Sequence, residues 1–292
     1  MKGLVTLTAT GLPAVHPTGF DLACGAHYFS ALPWAEGVMR LEWAHTGPPP
    51  ATPAVIQGQD RALRFDVREL LDGWRLSVPG LSMRVRTDPL TYWFRTDTGE
   101  SLVGPVMAGH HDGALVLAGQ LAPDDGFYGL GEKPGFLDRR GRAYTMWATD
   151  NPGPHVETDD QLYQAIPFLI TRHHGRYAGL FFDDAGRTGF DLGAQHPEGW
   201  HFRADGGGLV LWAIAGPRLA DVVRRYARLT GRMALPPRWA LGYHQSRWSY
   251  ASAGEVEGIA AQFRARKIPA DAIPLLHESV YCRCAIQVCN YV

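Results

Sequence analysis

The residues best equipped to hold a ligand concentrate between Phe127 and Asp150. Gly129-Leu130-Gly131 reads as a tight turn, since residues without a Cβ reach positive φ at little cost. Glu132 and Lys133 follow, and Asp138-Arg139-Arg140-Gly141 reads as a second turn. The apolar and aromatic run Tyr144-Thr145-Met146-Trp147 then leads into Asp150, within an Asp-Asn-Pro-Gly loop. An exposed carboxylate close to a large aromatic ring suits a sugar: the ring covers the apolar C–H face and the carboxylate accepts from hydroxyls. The same pieces also occur as plain turns in all-β domains, so chemistry alone leaves both readings open. A dinucleotide fingerprint is set aside, because the third glycine position of G-x-G-x-x-G is Pro134 and no helical pattern follows.

Other constellations are weaker. His110-His111 and His173-His174 are adjacent pairs that point to opposite sides of a strand and suit a metal poorly. Asp159-Asp160 and Asp183-Asp184 read as loop carboxylates. No G-x-S-x-G elbow, Walker loop or H-E-x-x-H motif is present. Cys24 stands apart from Cys282, Cys284 and Cys289, which crowd the end of the sequence without the paired knuckles of zinc sites. No metal or cofactor is expected.

The elements that would position these residues follow from hydrophobic period. At 292 residues and 46% hydrophobic, the chain can bury a large core or two ordinary ones. Its 34 glycines and 21 prolines favour many short strands over a helical bundle. Leu63–Val67, Trp74–Val78 and Leu81–Val85 alternate apolar with polar, as half-buried strands do, and Tyr177–Phe182 reads as a more deeply buried strand. Asp72-Gly73, Pro79-Gly80, Thr98-Gly99 and Asp112-Gly113 mark turns. The expectation is packed antiparallel sheets, as a sandwich or a barrel.

The period changes after Gly216. Pro217 is expected at the first position of a helix whose apolar face is Leu219, Val222, Val223 and Tyr226, ending near Gly231. Leu235-Pro236-Pro237 is a stiff linker. A strand from Trp239 to His244 should follow, then a helix opened by a Ser252/Glu255 capping box with a Val256, Ile259, Ala260, Phe263 stripe, then a strand near Asp271-Ala272-Ile273. Strand, helix, strand opens a parallel α/β domain. A net charge of -1 provides no field for nucleic acid and no polybasic membrane surface. The start of the sequence lacks the apolar core of a signal peptide, and no stretch is long enough to span a membrane, so a cytoplasmic location is expected.

Two stretches resemble glycoside hydrolase family 31, the α-glucosidases and related retaining α-glycosidases. One is Gly129 to Lys133 with Asp138 to Gly141 and Tyr144 to Asp150; the other is Pro236 to Trp248, and weaker similarity runs from about Gly58 to Ile273. The resemblance implies a mainly β fold: an N-terminal antiparallel, galactose-mutarotase-like β-sandwich over 1–235, then the start of a (β/α)8 barrel over 236–273. It also implies that Asp150 contacts sugar hydroxyls across the barrel mouth, that Trp248 walls the sugar subsite, and that the ligand is an α-glucoside oligosaccharide or small glucoside. Arg247 is expected to stiffen its loop by ion pairing, and Glu132 and Lys133 to brace their turn.

The family's nucleophile lies in a Trp-x-Asp-Met-Asn-Glu motif that this sequence does not contain, so no catalytic residue is assigned. From Pro274 the sequence departs from the family's Asp-Ile-Asp-Tyr-Met-Asp run, with Leu276-His277-Glu278-Ser279 in its place; 274–292 reads as an aberrant tail produced by a change of reading frame. The expected function is thus the N-terminal portion of a retaining α-glucosidase, inactive alone. A stand-alone carbohydrate-binding module and a ligand-free assembly domain are the alternatives.

Overall fold

A computed structural model describes residues 3–45, 49, 52–206, 208–247 and 250–274. In chain order the first strands are β1 (Val5–Thr6), β2 (Ala14–His16), β3 (Gly19–Cys24), β4 (His27–Ala35), β5 (Val38–Ala44) and β6 (Asp66–Leu70). Next come β7 (Gly73–Val78), β8 (Leu81–Thr87), β9 (Leu90–Arg95), β10 (Ser101–His111), β11 (Ala114–Gln120) and β12 (Gly126–Gly131). The last are β13 (Ala143–Met146), β14 (Ala165–His173), β15 (Arg176–Asp183), β16 (Thr188–Asp191), β17 (Gly199–Ala204) and β18 (Leu209–Gly216). Helix α1 (Leu219–Thr230) closes the first compact unit, and the second begins at Arg232.

The first unit is a β-sandwich of two antiparallel sheets. One has ten strands in the order β13-β16-β17-β11-β10-β9-β8-β7-β6, with β1 beside β10; the other has eight, ordered β12-β14-β15-β18-β5-β4-β3-β2. The inward residues of both form the main core, with Phe20, Phe29, Trp43, Tyr92, Phe94, Phe182 and Phe202 fully buried. Strands β7 and β8 keep the expected alternation, and β9 shares it, placing Leu76, Met83 and Tyr92 inward and Arg75, Arg84 and Trp93 outward. The strand foreseen at Leu63–Val67 begins at Asp66 instead, although Leu63 and Phe65 still pack on the core.

The eight-stranded sheet is covered on its outer face as well. All eight residues of β18 are buried, the continuous apolar run of a strand enclosed from both sides. Helix α1 supplies that cover with Val222 and Leu229, and the Tyr226 ring stacks on Phe168 with centroids 3.7 Å apart. The sequence expectation needs two corrections here. Pro217 lies outside the helix, before the N-cap Arg218, and the face is rotated: Leu219 and Val223 are exposed while Leu229 is fully buried. Packing on β15 and β18 selects the buried face, and several apolar residues spread around one helix do not specify it.

In the second unit, helix α2 (Ala253–Ala265) forms as expected. The Ser252 hydroxyl accepts from the Glu255 amide at 3.3 Å, while the Glu255 carboxylate reaches back to the Ala251 amide at 2.8 Å. Val256, Ile259, Ala260 and Phe263 are its half-buried stripe. The strand foreseen from Trp239 to His244 is not extended: Arg238–Leu241 is a 3₁₀ turn, and one parallel bridge joins His244 to Ala272. Pro236 and Pro237 have no amide to donate, and a barrel strand depends on a hydrogen-bonded neighbour along each side. Among the described residues that ladder is reduced to the bonds between Tyr243–Gln245 and Asp271–Ala272. Leu276, His277, Glu278 and the cysteines Cys282, Cys284 and Cys289 lie outside the described residues. No helix among the described residues is long and apolar enough to cross a membrane.

Of the two histidine pairs, His110 and His111 separate as strand geometry requires, whereas the His173 and His174 rings lie together with centroids 4.1 Å apart, because β14 ends at His173 and His174 turns at a φ of 47°. His110 on β10 stacks on His27 of β4 with ring centroids 4.0 Å apart, and His27 meets the edge of His45 at 4.7 Å. His111 faces Asp112 instead, at 3.4 Å. Burial first, then repulsion between the rings, holds His27 and His110 below the ordinary imidazole value. A depressed folded value favours the neutral ring, so its stabilisation is complete above about pH 6.5 and disappears as pH falls through the folded value. The thermal midpoint should therefore fall between pH 7 and 5, and more gently in His110→Gln. Parallel midpoint-versus-pH curves for the two proteins would exclude this origin. His173 works in the opposite sense: its hydrogen bond to Asp125, 2.6 Å, raises its value.

Candidate functional site

Strand β13 is the edge of the ten-stranded sheet, and residues 147–164 carry the chain from it to β14 in the other sheet. The base of this loop is tied by the Thr149 amide, which donates to the Leu162 carbonyl at 2.8 Å, with Leu162 buried. The Thr145 amide donates to both Asp160 carboxylate oxygens, at 2.9 and 2.8 Å. Beneath them lies the Lys133 ammonium, whose side chain is only 1% exposed. It donates to the Thr145 carbonyl at 2.9 Å, to Asp160 Oδ1 at 3.0 Å and to the Asp160 carbonyl. A buried ammonium is tolerated only when charge and donors are both matched, and Asp160 does the former. Asp160 is therefore a structural anchor and not a free loop carboxylate.

The Gly129–Gly131 segment is a bulge inside β12, not a turn between elements. Its register against β14 shifts between Gly129 and Gly131, and Gly129, Leu130 and Gly131 all have positive φ. A Cβ on Gly129 would stand 2.5 Å from the Phe168 carbonyl oxygen, so only glycine fits there. The bulge re-aims the chain so that the Glu132 amide meets the Gln164 carbonyl at 3.2 Å and the Glu132 carboxylate receives the Gln164 amide at 3.1 Å. The charge cluster after it braces backbone. Asp138 accepts from the Phe127 and Arg140 amides, Arg139 donates to the Lys133, Pro134 and Phe136 carbonyls, and Arg140 to those of Ala122, Pro123 and Asp125.

On this base the loop leaves Asp150 exposed. Tyr163, which the sequence did not single out, stands beside it. Its hydroxyl donates to the Asn151 carbonyl at 2.6 Å, and His155 Nε2 lies 2.9 Å from the same oxygen. Loss of solvent, followed by the Asp150 charge, pushes the Tyr163 phenol above its ordinary value. Trp147 is half-exposed and lines a cleft of about 330 Å³ with Pro167 and Asp184. Burial raises the Asp184 carboxyl, while its neighbour Asp183 is buried in β15 and accepts from the Trp212 indole at 3.1 Å. Asp183 is thus a core anchor where the sequence suggested a loop. Arg247 pairs with Glu255 at 3.2 Å, as its loop role requires, and Trp248 lies outside the described residues.

An exposed carboxylate flanked by Tyr163 on a rigidly based loop can accept hydrogen bonds from hydroxyls. Among the described residues no three His, Cys, Asp or Glu side chains are placed to hold a metal ion.

Residues 31–191 match the Glycosyl hydrolase 31 N-terminal galactose mutarotase-like domain, and residues 233–279 the Glycosyl hydrolases family 31 TIM-barrel domain. The chain belongs to glycoside hydrolase family 31. The second match continues past Pro274, where the sequence reading placed the departure. Alpha-glucosidase 2 of Bacillus thermoamyloliquefaciens is 46% identical over 169 residues, covering 58% of this chain and 21% of its own length. Alpha-xylosidase 1 of Arabidopsis thaliana is 30% identical over 235 residues, covering 77% of this chain and 24% of its own. The chain thus spans about a fifth of these relatives. A GH31 dextranase of Flavobacterium johnsoniae, solved with isomaltotriose, superposes with a TM-score of 0.81 at 28% identity over 92% of this chain and 34% of that one.

Proposed function

We propose that this chain is the substrate-bordering part of an α-glucosidase-type hydrolase that cleaves α-linked glucosides with retention. In this reading Asp150 accepts hydrogen bonds from sugar hydroxyls and Trp248 forms an aromatic wall of the subsite. The observation that carries it is the loop 147–164, which three separate anchors (Lys133, Glu132 and the Thr149–Leu162 bond) hold while Asp150 stays open to solvent. A glucoside ligand agrees with the dextranase relative, which was solved with isomaltotriose and with glucose. A cytoplasmic location belongs to the same proposal; the buried, unpaired Cys24 thiol suits a reducing compartment.

Residues 1–292 should show no turnover of p-nitrophenyl α-glucoside, because the nucleophile motif is not in the sequence. They should bind isomaltotriose weakly and saturably, with affinity at least about tenfold lower in Asp150→Ala, as expected for loss of a charged hydrogen bond. Isothermal titration reads the binding and absorbance the turnover. Release of p-nitrophenol, or isomaltotriose binding unaffected by Asp150→Ala, would overturn the assignment.

A further inference from the structure

A groove of about 540 Å³ lies on the outer face of β6–β9, lined by residues that the sugar loop does not use. Four of them are arginines: Arg64, Arg75, Arg84 and Arg95. Strand register brings Arg75 and Arg84 together. Arg68, Arg75, Arg84 and Trp93 stand directly opposite one another on four adjacent strands, so three guanidinium groups share one row. Like charges placed opposite across strands are unfavourable, and nothing in the fold requires them there, since the inward residues of β7–β9 make the core contacts.

The charges are only partly matched from within. Asp72 takes Arg84 at 2.6 Å, and Arg68 takes Asp66 at 2.8 Å. Arg95 donates to the Gly99 carbonyl, and among the described residues no carboxylate pairs with Arg64, Arg75 or Arg95. Four arginines line the groove against the two carboxylates of Asp66 and Asp97, a surplus of two positive charges. Arg84 and Arg86 lie over the Trp93 ring at 5.6 and 5.5 Å, and the Nε atom of each has no acceptor.

We propose that this groove binds a small saccharide carrying a phosphate group. The surplus of two suits a phosphate dianion, which guanidinium forks receive bidentately, and is too small to retain a polyanion such as nucleic acid. The groove is far larger than one inorganic ion needs and lies within the range of small-molecule sites. Leu70 and Pro79 provide apolar surface on which the C–H face of a sugar ring rests.

Titration calorimetry of residues 1–292 at fixed low ionic strength, with glucose 6-phosphate, glucose and inorganic phosphate, tests this. Glucose 6-phosphate should bind saturably, at least tenfold more tightly than either of the other two. The Arg64→Gln/Arg75→Gln double variant should lose at least tenfold, while Asp150→Ala should bind as the parent does, which separates this site from the sugar loop. Removing Arg75 from between Arg68 and Arg84 relieves repulsion, so the double variant's thermal midpoint should be no lower than the parent's. Equal affinity for inorganic phosphate would reduce the groove to an unselective anion site and overturn the saccharide assignment. No saturable binding, or binding unchanged in the double variant, would overturn the site itself.

Discussion

Lys133→Ala is expected to destabilise the sandwich by about 3 kcal/mol, because truncation leaves an ion pair and its hydrogen bonds half made. The ammonium is nearly inaccessible and supplies donors to Thr145 and Asp160 together. Its removal leaves the Thr145 carbonyl and a partly buried carboxylate without their partner, and water reaches Asp160 more readily than Thr145 because that side chain is 34% exposed. The loss should spread outward along the loop. Amide exchange in residues 147–164 should accelerate more than exchange in β8 or β9, which have no contact with Lys133. Urea denaturation measures the first effect, and a loss under about 1 kcal/mol would show that Lys133 is not the principal anchor. Lys133→Arg should not rescue: the planar guanidinium cannot aim at three acceptors grouped around one nitrogen.

Phe182→Ala should cost a similar or larger amount, about 3–5 kcal/mol, as truncation of fully buried aromatics does. Phe182 lies on the eight-stranded sheet, yet its ring stacks on Phe202 at 4.2 Å and meets Phe190 edge-on at 5.0 Å, both on the ten-stranded sheet. The three rings join the layers near the edge from which β13 leaves. Phe182→Leu should recover most of the loss, since it restores volume without the ring geometry. Chemical denaturation of both variants checks the ordering; an alanine variant as stable as the leucine one would mean that the site collapses around the cavity.

The loop 147–164 and its base were partly legible in the sequence. Asp150 and the Asp138–Gly141 turn lie within one stretch and each has a local signature, while the bracing role of Glu132 and Lys133 came from the family resemblance. Tyr163 was not legible, because it sits in an unpatterned segment and meets Asp150 only after the loop has closed on itself. Asp160 was misread for the same reason, since its partner Lys133 is 27 residues away. The Gly129–Gly131 bulge was seen as a turn because positive φ serves both, and only the register against β14 separates them.

Local chemistry in the sequence determined the alternation of β7 and β8, the Ser252 cap of α2 and the place of the loop carboxylate, since each depends on neighbours a few residues apart. Tertiary structure alone decided the α1 face that meets β15 and β18, the pairing of β5 with β18 and the arginine row across β6–β9. The physical reason is the range of the interactions. A strand's two-residue period states which side chains share a face, but their opposite numbers are set by register against strands distant in the chain. The parallel His244–Ala272 bridge makes the same point, because an alternation suited to a strand becomes one only where a neighbour supplies the hydrogen bonds.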